Sequence, residues 1–149
     1  ISAAASDAIF SSFVLAGAIG SFSSFYVAKR IGLKKAITLE FGIASIGMFL
    51  FPMGFMRSIP LLMMILLASG YVLYATYPIL YSIIAEVASF RGRGRSYGFV
   101  MSLTFIGGVV QSYISGQLAQ IANDLSVVYL LGSAIALLAV IVSTKMPSI

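Results

Sequence analysis

Tyr74, Tyr77 and Tyr81 fall at i, i+3 and i+7, a spacing that puts three phenol rings on one face of a helix. Each ring has an apolar body and a hydroxyl tip, a combination suited to holding a small solute without covalent chemistry. Pro78 stands between the last two, removes the backbone bond to residue 74 and predicts a bend there. Interhelical packing with hydroxyl-to-backbone bonds would use the same residues, and Tyr71 by itself fits packing better. Gln111 is the most polar side chain deep in an apolar segment, and its amide calls for a cavity or a cross-helix bond. Gln117 and Gln120 lie nearer a segment end and suit solvation.

A second constellation is ionic. Glu86 precedes Arg93 by seven residues across a short connection, and Arg30 and Lys34 belong to another connection. A cross-loop ion pair is geometrically possible, and a partly desolvated pair at a membrane edge is stronger than an exposed surface bridge. The same charges also serve as plain topology anchors. All four acidic residues lie towards segment ends: Asp7, Glu40, Glu86 and Asp124. If proton coupling is used, its carboxyl at depth is therefore expected outside this chain.

With no histidine and no cysteine, the commonest metal ligand and thiolate chemistry are both missing, and no metal or cofactor site is expected. No pair of mid-segment carboxylates occurs, and with histidine and cysteine also missing this argues against an intramembrane enzyme.

The elements that must position these residues are apolar. Hydrophobic residues make up 60% of the 149 and charged residues 9%, and the mean hydropathy is +1.08. Soluble domains carry about 25% charged residues, so the net charge of +5 is not read as a nucleic-acid footprint. The pattern predicts an all-α, polytopic transmembrane bundle forming one domain over residues 1–149, with the lipid bilayer as its surroundings. Five spans are expected, at about 7–28, 36–56, 59–86, 96–119 and 124–144, with Ser6 or Asp7 as N-cap of the first. Connections of a few residues make consecutive helices antiparallel neighbours.

Seven of the nine Lys and Arg residues sit in two clusters, 29–35 and 91–95, which are the first and third connections. Both therefore share a side with Lys145, whereas the opposite side has only Arg57, together with Asp7 and Asp124. The positive-inside rule places 29–35, 87–95 and the C-terminus in the cytoplasm and Ile1 outside, which predicts a further helix upstream. The second and fifth spans are nearly uniformly apolar and suit a lipid-facing ring. The first, third and fourth carry hydroxyls, tyrosines and amides that should face protein or water.

Small residues recur every fourth position in two spans. Ser12, Ala16, Gly20, Ser24 and Ala28 line the first, and Thr104, Gly108, Ser112 and Gly116 line the fourth. Either stripe lets another backbone approach closely, from within this chain or from a partner bundle that moves against it.

Together these features resemble the major facilitator superfamily, in its C-terminal six-helix half without the first helix. Ala28-Lys29-Arg30-Ile31-Gly32-Leu33-Lys34-Lys35 resembles the family's G-x-x-x-D-R-x-G-R-R loop, matching at Arg30, Gly32 and Lys34. Lys29 stands at the aspartate, Phe25 at the leading glycine and Leu33 at a basic position. Glu86 to Arg93 resembles the E-x6-R element of sugar porters and organic-ion carriers, whereas the P-E-T-K-G sequence after the last helix is not evident.

The resemblance implies helices eight to twelve of twelve in a plasma-membrane carrier working by alternating access. It implies transport or symport of a small solute of the sugar or organic-acid type. Tyr74, Tyr77, Tyr81 and Gln111 would line the pathway, while Glu86, Arg93, Arg30, Gly32 and Lys34 would form a cytoplasmic latch. The partner would be the N-terminal half-bundle of the same polypeptide, met by the first and fourth spans. The alternative is a five-span membrane scaffold or assembly subunit.

Overall fold

The computed structural model describes residues 3–52 and 59–147, and every regular element among them is a helix. These are α1 (Ala3–Ile31), α2 (Leu33–Leu50), α3 (Ile59–Val87), α4 (Arg93–Ala122) and α5 (Ser126–Thr144). Arg57 and the connection around it lie outside the described residues. Four of the helices, α1, α3, α4 and α5, have stretches long and apolar enough to cross a membrane. The remaining helix, α2, starts at Leu33 rather than near residue 36, and the expected end near residue 56 lies outside the described residues. It has 18 residues, about 27 Å, and carries Lys34, Lys35 and Glu40. A second correction concerns the start of the first helix. Because α1 begins at Ala3, Asp7 lies within it and does not cap it.

One glycine makes the turn from α1 to α2. Gly32 has φ 87° and ψ 151°, a region open almost only to glycine. Its N–H still donates to the Ala28 carbonyl at 2.8 Å, and its own carbonyl accepts from the Ala36 N–H at 3.0 Å. The chain therefore reverses while the Ala28 carbonyl keeps its helical partner. Asn123 performs the corresponding service after α4 with φ 50°. Asp124 then accepts the Ser126 N–H at 2.8 Å at the start of α5, and that bond holds its carboxyl below the usual aspartate value.

The helices pair unequally. Parallel to α3, α1 runs with backbones nearly touching. Ala28, Ala36, Ile37, Ile79 and Ile83 form the core where α1, α2 and α3 meet at the basic end. Antiparallel to α5, α2 is held by more than apolar contact. Ser45 Oγ donates to the Ser133 carbonyl at 3.0 Å, and Ser133 Oγ returns the bond to the Ser45 carbonyl at 2.9 Å. Thr38 Oγ1 reaches Ser143 Oγ at 2.8 Å, and Phe51 stacks on Tyr129 with centroids 4.1 Å apart. The lipid-facing pair expected from hydropathy thus buries its few hydroxyls in a shared seam, where lipid cannot strand them. None of the described residues of α4 is buried.

Candidate functional site

The tyrosine face of α3 looks across a gap at α4. Tyr74, Tyr77 and Tyr81 line a cleft of about 760 Å³ together with Met101, Thr104, Gly108 and Ser112 of α4. The rings are not free rotors. Tyr77 and Tyr81 lie 6.4 Å apart between centroids, and Tyr81 meets Tyr97 edge-on at 5.7 Å. Tyr97 Oη donates to the Tyr81 carbonyl at 2.9 Å, and Tyr81 Oη points to Met101 Sδ at 2.9 Å. These contacts lie towards the basic end of the cleft. Towards the other end Tyr74 and Tyr77 remain about two-fifths exposed, at 37% and 40%. The cleft therefore presents aromatic faces and hydroxyls, with no charged side chain among these seven residues, a lining suited to binding a small solute.

Gln111 precedes Ser112 and is exposed on α4, and among the described residues it makes no hydrogen bond. The stripe of Thr104, Gly108 and Ser112 is cleft wall, and a Cβ at Gly108 or Gly116 would meet nothing within 4 Å. The corresponding stripe of α1 is used differently. A Cβ at Gly20 would overlap the Tyr71 carbonyl, one at Gly17 the Tyr74 ring, and one at Gly70 the Phe13 carbonyl. Ser24 is 1% exposed, and Ser12 and Ala16 line a groove with Tyr71 and Val72. Of the two readings open for the α1 stripe, the geometry is that of packing within this chain. Tyr71 belongs to the same seam, its hydroxyl 2.5 Å from Ser23 Oγ.

The four ionic residues of the expected latch are not gathered. Lys34 Nζ donates to the Met146 carbonyl just past α5, drawn there by the α2–α5 pairing. Arg93 lies over the Phe90 ring, 5.5 Å from its centroid, and Arg30 is exposed. No ion pair joins Glu86 to any of them among the described residues. Glu86 instead shares a cavity of about 460 Å³ with Lys29, bounded by Ala28, Gly32, Pro78 and Ser82. The only signal of Lys29 in the sequence is its departure from the aspartate of the loop pattern.

Glu40 is the other residue whose setting sequence position conceals. Its place in the chain suggests a membrane face, yet it is 5% exposed and its Oε2 has no hydrogen-bond partner among the described residues. It follows Ala36 and Ile37 by one helical turn, and those two pack into the core on the same side of α2.

The structure thus combines an all-helical bundle, a tyrosine-lined cleft and basic residues gathered at one end. No curated protein and no solved structure matches the chain. The sequence profile of the Major Facilitator Superfamily matches residues 1–147, and the chain is a member of this superfamily of membrane transporters.

Proposed function

We propose that this chain supplies the C-terminal half-bundle, helices eight to twelve, of a carrier that moves a small solute of the sugar or organic-acid type by alternating access. The observation that carries this reading is the cleft between α3 and α4 with its three tyrosines. A membrane helix of 30 residues with no buried side chain supports it, since such a face suits a second half-bundle across the solute site. The basic end faces the cytoplasm of a plasma-membrane protein by the positive-inside rule. Tyr77→Phe and Tyr81→Phe, at equal surface expression, raise the solute KM several-fold in an uptake assay. Unchanged uptake in both variants would remove these tyrosines from the pathway.

In this reading Gln111 joins the pathway only in a conformation that turns α4. The latch centres on Glu86 with Lys29 as its opposite charge, because those two border one cavity while Arg93 and Lys34 have other contacts. Glu86→Gln shifts the population towards the inward-facing state, read by cysteine accessibility at the basic end. Glu40 is the group of this chain suited to carry a coupling proton, as a buried carboxyl with an unpartnered oxygen. Glu40→Gln should abolish accumulation driven by a pH gradient and spare exchange of solute at equilibrium. Loss of both, or of neither, would exclude that role.

A further inference from the structure

A proline inside a helix strands one carbonyl, and α3 has its proline at Pro78 with the helix unbroken from Ile59 to Val87. The stranded group is the Tyr74 carbonyl, because residue 78 has no N–H to give it. In a membrane-spanning helix an unpaired carbonyl is costly, as no water replaces the missing donor. Here the donor comes from another helix. Ser21 Oγ of α1 donates to the Tyr74 carbonyl at 2.9 Å.

The bond differs from those of its neighbours in reaching a carbonyl of another helix, although Ser23 Oγ also meets the Tyr71 hydroxyl of α3. Ser23 and Ser24 give their hydroxyl protons to carbonyls of α1 itself, those of Gly20 and Ser21, at 3.1 and 2.8 Å. Thr76 and Ser82, on either side of the proline, likewise turn back along α3 to Val72 and Pro78 at 3.0 and 2.9 Å. Such back-bonding is the ordinary resort of a helical hydroxyl, and it bends helices. Ser21 crosses to α3, and it reaches because Gly17 and Gly20 bring α1 against Tyr74 and Tyr71 without a Cβ between them. The residue whose carbonyl it holds is the first tyrosine of the cleft wall.

We infer that Ser21 is a positioning residue for the solute cleft: its hydroxyl replaces the hydrogen bond that Pro78 removes, holding the turn of α3 before Pro78 and with it the aim of Tyr74 and Tyr77. The inference rests on the cleft being the solute site. It also gives α1 a route to that site, since any displacement of α1 pulls on the Tyr74 carbonyl.

A double-mutant cycle on the full-length carrier tests it. Ser21→Ala lowers the thermal midpoint of the purified protein by about 3 °C. In a Pro78→Ala background the same change lowers it by under about 1 °C, because the substituted alanine restores the N–H to the Tyr74 carbonyl. Ser21→Ala also raises the solute KM about threefold with the maximal rate little changed, and Ser21→Thr, which keeps the hydroxyl, restores it. Equal thermal losses in both backgrounds would reduce Ser21 to packing and overturn the inference. So would a cycle that couples in the melts with KM unmoved, provided Tyr77→Phe still raises KM. If Tyr77→Phe and Ser21→Ala both leave KM untouched, the assignment of the cleft falls with it.

Discussion

Gly20 on α1 and Gly108 on α4 occupy equivalent places in two four-residue repeats, yet a methyl group at Gly20 would overlap the Tyr71 carbonyl and one at Gly108 would meet nothing within 4 Å. The difference lies in what stands opposite. Helix α3 answers α1 with a glycine of its own, Gly70 against Phe13, so the two backbones close from both sides. Phe13 and Tyr74 then pack edge-on across the join with centroids 6.1 Å apart. Towards α4 the same helix presents tyrosines, whose bulk holds the helices apart and leaves a cleft. A small-residue repeat therefore permits close approach but does not cause it. The partner's side chains decide whether the permission is used.

The largest effect that would separate the two faces is a methyl group on each. Gly20→Ala costs about 2 kcal/mol of stability, because a backbone oxygen is the obstacle and α1 must shift. Gly108→Ala is neutral or stabilises by up to about 1 kcal/mol through helix propensity. Thermal melts of purified protein measure both. A clear loss at Gly108 would break the comparison by showing that a partner backbone sits on α4.

A change of similar size is expected at the turn that sets α1 against α2. Gly32→Ala costs about 2 kcal/mol, since the residue must keep a backbone conformation almost closed to other amino acids. Because a Cβ there has open space, strain is the only cause. A melt unchanged by the substitution would mean that the turn has relaxed to another geometry.

Removing single hydroxyls sharpens the contrast between seam and cleft. Tyr71→Phe takes away the 2.5 Å contact with Ser23 and costs about 1 kcal/mol of stability with solute KM unchanged. Tyr77→Phe does the reverse, altering KM and sparing the melt. If both residues behaved alike, α3 would not have one structural face and one binding face.

The smallest effect is at the far turn. Asp124 has its carboxyl held below the ordinary aspartate value of 3.8 by the Ser126 N–H. Its contribution to stability is thus present above pH 3.8 and is lost as the pH falls through the lower, folded-state value. Asp124 is fully exposed, so the effect is a slight loosening of the start of α5 in acid, absent in Asp124→Asn. Amide hydrogen exchange at Ser126 and Val127 reads it.

Much of this architecture is legible in residue order. Hydropathy and length mark the helices because lipid leaves the backbone no other partner. The shared face of Tyr74, Tyr77 and Tyr81 follows from helical period alone, and so does the weakened bond at Pro78. Charge bias shows which connections lie together. Less legible is the length of α2, where Lys34 and Lys35 are drawn into the helix and shorten its apolar part.

Tertiary structure decided which faces meet, because contacts between helices depend on rotation and depth that no single helix encodes. It turned the α1 stripe inwards on α3 and left the α4 stripe on a cleft. Lys34 went to the end of α5, Lys29 came to the cavity of Glu86, and Glu40 was buried although its position suggested a membrane edge. The partner of the Tyr74 carbonyl belongs to the same class. Sequence predicts that Pro78 orphans it, but only the packing of α1 on α3, fifty-three residues away in the chain, supplies the Ser21 hydroxyl. Local rules state what each helix lacks, and the bundle determines which neighbour provides it.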